Sequence, residues 1–155
     1  MSVEPNVEID SHIGVALRYA YQRAAAAMSD AIREFELTPI QMSVLARLRQ
    51  RGPLTQNRLG RSLGMDPPNV RDIVRRLARR GLVTLEREPE DRRALLVRLT
   101  PEGVELFTRV WPVAEAVNQY TLSIFTSEER ELLVEMLARL AAGARAPTAS
   151  AARTA

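Results

Sequence analysis

The sequence lacks cysteine and lysine, contains a single histidine (His12), and is poor in aromatic residues, which make up 5% of its 155 positions. Without cysteine there is no disulfide, no thiolate zinc site, no cysteine nucleophile and no thiol-based sensor of oxidation. One histidine does not make a histidine-rich metal site. We therefore expect neither a metal nor another cofactor.

Membrane and catalytic motifs are also absent from the sequence. No apolar run approaches the roughly 18 residues of a membrane span. The acidic N-terminus lacks the basic and apolar regions of a signal peptide, so we expect a cytoplasmic protein without a membrane partner. The seven glycines are scattered, and no catalytic motif surrounds Ser11, Ser43, Ser62 or His12. We therefore expect no enzymatic activity.

The charge is distributed unevenly, although the formal net charge is only +3. Between Arg47 and Arg98 there are 14 arginines and six acidic residues, a net charge of +8, whereas the flanks together carry −5. Arginine presents a planar fork of donors that suits phosphate oxygens and guanine edges. The basic middle segment therefore favours a nucleic-acid partner. Residues 1–10 and 144–155 show no periodic pattern, and we expect both to be loose.

The N-terminal part predicts two helices. From Ser11 to Phe35, apolar residues recur at the three-and-four spacing of one helical stripe. A second helix is predicted to begin after Thr38, where Gln41 can close a capping box, and to end at Gly52. The residues of the first stripe are Ile13, Leu17, Ala20, Ala24, Met28, Ile32 and Phe35.

The middle of the chain has the spacing of a helix-turn-helix. Thr55 caps a short helix that Gly64 ends, and Asp66 precedes a helix that ends before Gly81. Two helices joined by a tight glycine turn are typical of this motif. In the second helix, Val70, Ile73, Val74 and Leu77 share one face, so the opposite cationic face is free to enter a DNA major groove. The predicted contacts on this recognition helix are Pro68, Asn69, Arg71, Arg75 and Arg76.

After Gly81 the apolar period changes to two, which predicts strands at Leu82–Arg87 and Ala94–Leu99. The resulting hairpin is a wing. An arginine at its tip can enter a narrow minor groove, and a carboxylate two residues before Arg93 can orient its guanidinium. The predicted wing contacts are Asp91, Arg92 and Arg93.

Two further helices follow the wing. Thr100 caps the first, which we expect to bend at Pro112, and Thr126 with Glu129 forms a capping box for the last, which ends at Gly143. Together with the first helix, they carry more apolar surface than a small winged helix can cover. The apolar residues predicted to face inward on the first of these helices are Val104, Phe107, Val110, Trp111, Ala114, Val117, Thr121 and Ile124. The apolar residues that line the last helix are Leu132, Leu133, Met136, Leu137 and Leu140.

Read together, these segments resemble the MarR family of winged-helix transcriptional regulators. The most diagnostic part is the wing sequence Asp91-Arg92-Arg93 followed by Leu99-Thr100-Pro101-Glu102-Gly103. The resemblance implies a mainly α fold with a small β-wing. Its winged helix-turn-helix domain spans 37–100, and its dimerisation helices span 11–36 and 101–143. The other matching segments are Leu37–Gln41, Gly52–Gln56 with Leu59, Met65–Val70, Arg76-Leu77 and Arg80–Val83.

The resemblance implies a homodimer that binds double-stranded DNA at a palindromic operator, most often as a repressor. In such a dimer the two recognition helices lie about 34 Å apart, one turn of DNA. The family also implies release by a small aromatic carboxylate or phenol in a cleft between the dimerisation helices and the winged domain, formed by the first helix, the 39–51 helix and the helix after Thr100. His12, Arg18 and Tyr19 are the candidate ligand contacts, while a solvated, purely structural role for them stays open. The alternatives are an architectural DNA binder and a winged-helix protein-interaction module without an effector.

Overall fold

The computed structural model describes residues 12–88 and 93–143. The chain divides into two compact units, Met1–Gln119 and Tyr120–Ala155. No helix in the described ranges is long and apolar enough to cross a membrane. The elements are α1 (Ile13–Ala31), a 3-10 turn (Arg33–Phe35), α2 (Pro39–Arg51), β1 (Leu54–Thr55), α3 (Gln56–Leu63), α4 (Pro67–Arg79), β2 (Val83–Arg87), β3 (Leu95–Leu99), α5 (Pro101–Thr121) and α6 (Ser127–Ala142).

The helix starts follow from the caps in the sequence. At α2, the backbone N–H of Thr38 donates to Oε1 of Gln41 at 2.9 Å, and the N–H of Gln41 donates to Thr38 Oγ1 at 3.3 Å. The same reciprocal box closes the start of α6. These bonds satisfy backbone donors that the first helical turn leaves unpaired. Both predicted capping boxes are confirmed.

The core lies in the first unit, among the helices and the small sheet of the winged helix. It is built from aliphatic side chains that the described structure excludes from water almost completely. Gly60 lets α3 approach α4 closely, because a Cβ at this position would lie 2.8 Å from Val70 Cγ2. The core members with less than 2% exposure are Ile32, Val44, Leu45, Leu59, Val70, Val74, Leu77, Val97 and Val110.

The sheet is antiparallel with strand order β1-β3-β2. Val83 pairs with Leu99 and Arg87 with Leu95, so each strand of the predicted hairpin begins one residue later than expected. Leu54 of β1 pairs with Val97. This third strand was not predicted, because two residues are too few to show a period of two.

The predicted helix from 11 to 35 is shorter in the structure. α1 ends at Ala31, and the chain continues through the 3-10 turn to Glu36, which has a left-handed backbone with φ 53°. Tertiary contacts hold the chain beyond the helix: Ile32 is fully buried in the core, and Arg80 donates to the carbonyls of Phe35 and Glu36. No residue of α1 itself is buried.

The helix α5 also differs from expectation. α5 ends at Thr121, so Ile124 lies outside it and is 81% exposed. Val104 and Trp111 were predicted to face inward, but they are 37% and 45% exposed. Both lie on a helix whose buried residues are Gly103, Val110 and Ala114, and an amphipathic helix covers only one stripe in its own chain.

Candidate nucleic-acid interface

α4 presents two chemically opposite faces. Val70, Val74 and Leu77 are buried, whereas Arg71 and Arg75 are exposed. The helix begins at Pro67, where the missing proline N–H costs no hydrogen bond, and Gly81 follows its end with φ +70°. The apolar face therefore anchors the helix in the core and leaves its cationic face in solvent.

Two of the predicted contacts on α4 are held by neighbouring carboxylates. The amide nitrogen of Asn69 donates to Oδ1 of Asp66. Nε of Arg76 lies 2.9 Å from Oδ2 of Asp72, one helical turn earlier. Asp66 therefore stands at the N-cap of the helix without a side-chain bond to its backbone. Asn69 keeps its carbonyl oxygen and one amide hydrogen for a base, while Arg76 is partly neutralised before any DNA arrives.

Arg71 and Arg75 differ from these held residues. Within 12–88 and 93–143, no hydrogen bond or ion pair engages either guanidinium. Pro68 is exposed in the first turn. Among the contacts predicted on α4, the two arginines are therefore the side chains best able to donate to base edges or phosphates.

Only the base of the wing is described. Asp91 and Arg92 lie outside the described residues, and Arg93 is exposed where the chain enters β3. On the strands, Nε of Arg98 lies 3.8 Å from Oε1 of Glu86. The role of the wing tip stays a prediction.

A second basic surface adjoins the helix-turn-helix. A shallow cleft of about 450 Å³ contains three arginines and no carboxylate. Two of these arginines belong to α3, the helix that crosses the DNA backbone in a helix-turn-helix complex. The lining residues are Arg51, Leu54, Arg58, Arg61 and Ser62.

A larger cleft, of about 500 Å³, lies between α2, the end of α3 and α5. The rings of Phe107 and Trp111 are 5.4 Å apart between centroids and tilted by 30°. Arg47 donates to the carbonyl of Ser62 and to Oε1 of Gln50, each at 3.1 Å. The lining residues are Ser43, Ala46, Arg47, Arg49, Gln50, Leu63, Phe107 and Trp111.

None of the ligand contacts predicted from the sequence lines either cleft. Arg18 and Tyr19 are exposed on α1. His12 caps that helix with an extended backbone, so helical periodicity does not place it on one strip with Tyr19. The larger cleft contains Phe107 and Trp111, an aromatic pair four residues apart for which the sequence predicts an inward position. Phe107 does pack against the core, whereas Trp111 is 45% exposed.

Exposed arginines on the second helix of a helix-turn-helix, with a wing behind it, define a winged-helix DNA-binding protein. A sequence profile of the MarR family matches residues 35–94. The transcriptional repressor NicR of Pseudomonas putida is 32% identical over 133 residues, which cover 86% of this chain and 84% of NicR.

Solved structures agree in fold. BpsR of Bordetella bronchiseptica, whose regulation by 6-hydroxynicotinic acid has been described structurally, aligns with a TM-score of 0.84 and 31% identity. That alignment covers 90% of this chain and all of BpsR. The repressor CouR, bound to a 23-mer DNA duplex, aligns with a TM-score of 0.79 and 28% identity over 90% of this chain and 99% of CouR. The chain belongs to the MarR family, and it is a DNA-binding transcriptional repressor of that type.

Proposed function

We propose that the protein acts in the cytoplasm as a homodimer that represses transcription from a near-palindromic operator and leaves it when a small aromatic acid or phenol binds. The observation that carries the DNA-binding part is that Arg71 and Arg75 are exposed on α4, away from its buried face, and engage no partner among the described residues. Their guanidinium groups can reach guanine edges only if the helix enters the major groove.

Dimerisation is supported by apolar surface that stays exposed among the described residues. α1 and α6 are 19 and 16 residues long, and neither contains a buried residue. On α6, Met136, Leu137 and Leu140 are 40% to 55% exposed. In proteins, most of a helix's stability comes from packing its apolar face against other elements. A second copy of the chain is the occupant we propose, because family members present two recognition helices to a single operator.

The operator is best identified by selection from random duplex DNA. We expect the selected sites to be near-palindromes with half-site centres about ten base pairs apart. They should be bound about a thousandfold or more tightly than a scrambled duplex at physiological salt. The fraction bound should fall steeply with salt for both duplexes, because phosphate contacts release counterions. Equal affinity for selected and scrambled DNA would instead support an architectural DNA binder, and no DNA binding would support a protein-interaction module.

The larger cleft supports an aromatic acid or phenol as the effector. Its volume lies within the range of small-molecule sites, and it combines two aromatic rings with two cations. An aromatic carboxylate fits this chemistry, with its ring beside Trp111 and its carboxylate group near Arg47 or Arg49. BpsR, at 31% identity, is regulated by a compound of this class. His12, Arg18 and Tyr19 remain a second predicted site.

Arg47 connects the larger cleft with the helix-turn-helix, because it lines the cleft and also contacts α3. Its bond to the carbonyl of Ser62 ties α2 to the end of α3, just before the turn that leads to α4. A carboxylate that draws this guanidinium away would release the turn. A hundredfold loss of operator affinity requires a difference of about 2.7 kcal/mol in effector binding between the two states.

A further inference from the structure

The C-terminal end of α4 is tied to the turn between α1 and α2 by one side chain, that of Arg80. Its NH1 donates to the carbonyl of Glu36, and its NH2 donates to the carbonyl of Phe35 at 3.1 Å. The carboxylate of Glu36 lies 3.9 Å from the same NH2. These contacts join residues 44 and 45 positions apart in the chain.

The turn that Arg80 contacts is a strained one. Glu36 has the only positive φ of a non-glycine residue in the described part of the chain. A left-handed conformation is strained for a residue that carries a Cβ. The planar guanidinium fork can donate to two successive carbonyls at once, which fixes the turn against α4. Arg80 is 31% exposed in this position.

The same end of α4 is held from the other side by the start of α5. Thr100 donates through Oγ1 to the carbonyl of Gly81 at 2.6 Å and through its backbone N–H to the carbonyl of Leu82 at 3.1 Å. The guanidinium of Arg109 on α5 lies 5.9 Å from the centroid of the Phe35 ring. Three points are therefore linked in a ring: the end of α4, the 33–36 turn and α5.

We propose that Arg80 is a positioning residue that fixes the direction of the recognition helix relative to α1 and α5, and thereby makes the protein sensitive to half-site spacing. The inference rests on the proposed dimer, because spacing matters only when two recognition helices are held at a set separation. One added base pair moves a half-site about 3.4 Å along the duplex and turns it by about 34°. A rigid pair of helices cannot follow that displacement, whereas a loosened pair can.

The test measures affinity for three duplexes: the selected operator, and the same operator with its half-sites one base pair further apart or closer together. The wild type should lose about tenfold or more on either altered duplex. Arg80→Ala should reduce this penalty to about threefold, with the salt dependence of binding unchanged, because Arg80 contacts carbonyls rather than phosphates. Arg79→Ala is the matched control, and it should leave the spacing penalty as in the wild type.

Arg80→Lys is the second variant, needed if Arg80→Ala proves poorly folded by thermal melting. It keeps the positive charge but loses the two-pronged fork, so the spacing penalty should still fall. A wild-type penalty in both Arg80 variants would overturn the inference while leaving the dimeric repressor intact. The inference would also be overturned if the operator affinity of Arg80→Ala depended less steeply on salt while its spacing penalty stayed unchanged. That result would make Arg80 a phosphate contact. A wild type without any spacing penalty would overturn the proposed dimeric operator and the inference together.

Discussion

Replacing Gly103 by alanine tests the junction where α5 begins beside the end of the recognition helix. A Cβ built on Gly103 would lie 2.1 Å from the carbonyl oxygen of Leu82 and 3.0 Å from its carbonyl carbon. Real Cβ atoms essentially never approach another heavy atom closer than 3.0 Å, and the obstacle here is backbone. The chain must therefore move by roughly an ångström at this point to accept the methyl group.

The cost can be estimated from the contacts that such a movement disturbs. Overpacking typically costs about 1 to 3 kcal/mol. The bond from the Thr100 N–H to the Leu82 carbonyl is the first to be stretched, at about 0.5 to 1.5 kcal/mol. The better helix propensity of alanine returns about 0.5 to 1 kcal/mol. We expect a net loss of about 2 kcal/mol in the free energy of unfolding.

Urea denaturation followed by circular dichroism measures this loss, at one fixed protein concentration because a dimer's stability depends on it. Gly14→Ala is the matched control: nothing lies within 4 Å of its added Cβ, and the variant should gain up to about 1 kcal/mol. Gly103→Ala within about 0.5 kcal/mol of the wild type would refute the close approach of α5 to Leu82.

Two predictions concern assembly and the effector. Leu137→Glu places a charge in the proposed dimer contact at a cost of several kcal/mol, so analytical ultracentrifugation should show monomers in place of the dimer. Glu135→Gln on the same helix is the control and should stay dimeric. A wild-type monomer of 17.3 kDa would contradict the dimer. Benzoates, hydroxynicotinates and phenolic acids should release operator DNA from Trp111→Ala only at concentrations about tenfold or more above those that the wild type needs. Release that depends instead on Arg18 or Tyr19 would place the effector on α1.

Much of the fold follows from local signals that act over a few residues. Thr38, with Gln41 three residues later, predicted the start of α2 because capping needs only those two side chains and their own backbone. Gly64 and Gly81 predicted helix ends because both occupy the left-handed region. The buried face of α4 followed from the helical period alone.

The features that the sequence did not reveal depend on contacts between distant residues. The apolar stripe of the first helix continues through Ile32 and Phe35, so the sequence gives no sign that α1 ends at Ala31. The turn that follows α1 is held by contacts with elements far along the chain. Arg80 looked like any other arginine of a basic helix, because its partners lie more than 40 positions away. The exposure of Trp111 could not be separated from core packing, because an apolar stripe does not say which of its members the same chain covers.

The central claim is that Arg71 and Arg75 of α4 read a specific DNA sequence, and it is tested most directly by measuring affinity for the selected operator and for a scrambled duplex, in the wild type and in Arg75→Ala. The account predicts that Arg75→Ala loses about 1 to 3 kcal/mol on the operator and much less on scrambled DNA. Arg79→Ala provides the matched control for loss of one positive charge from the same helix. Equal losses on both duplexes, or a wild type that does not distinguish them at physiological salt, would contradict the account.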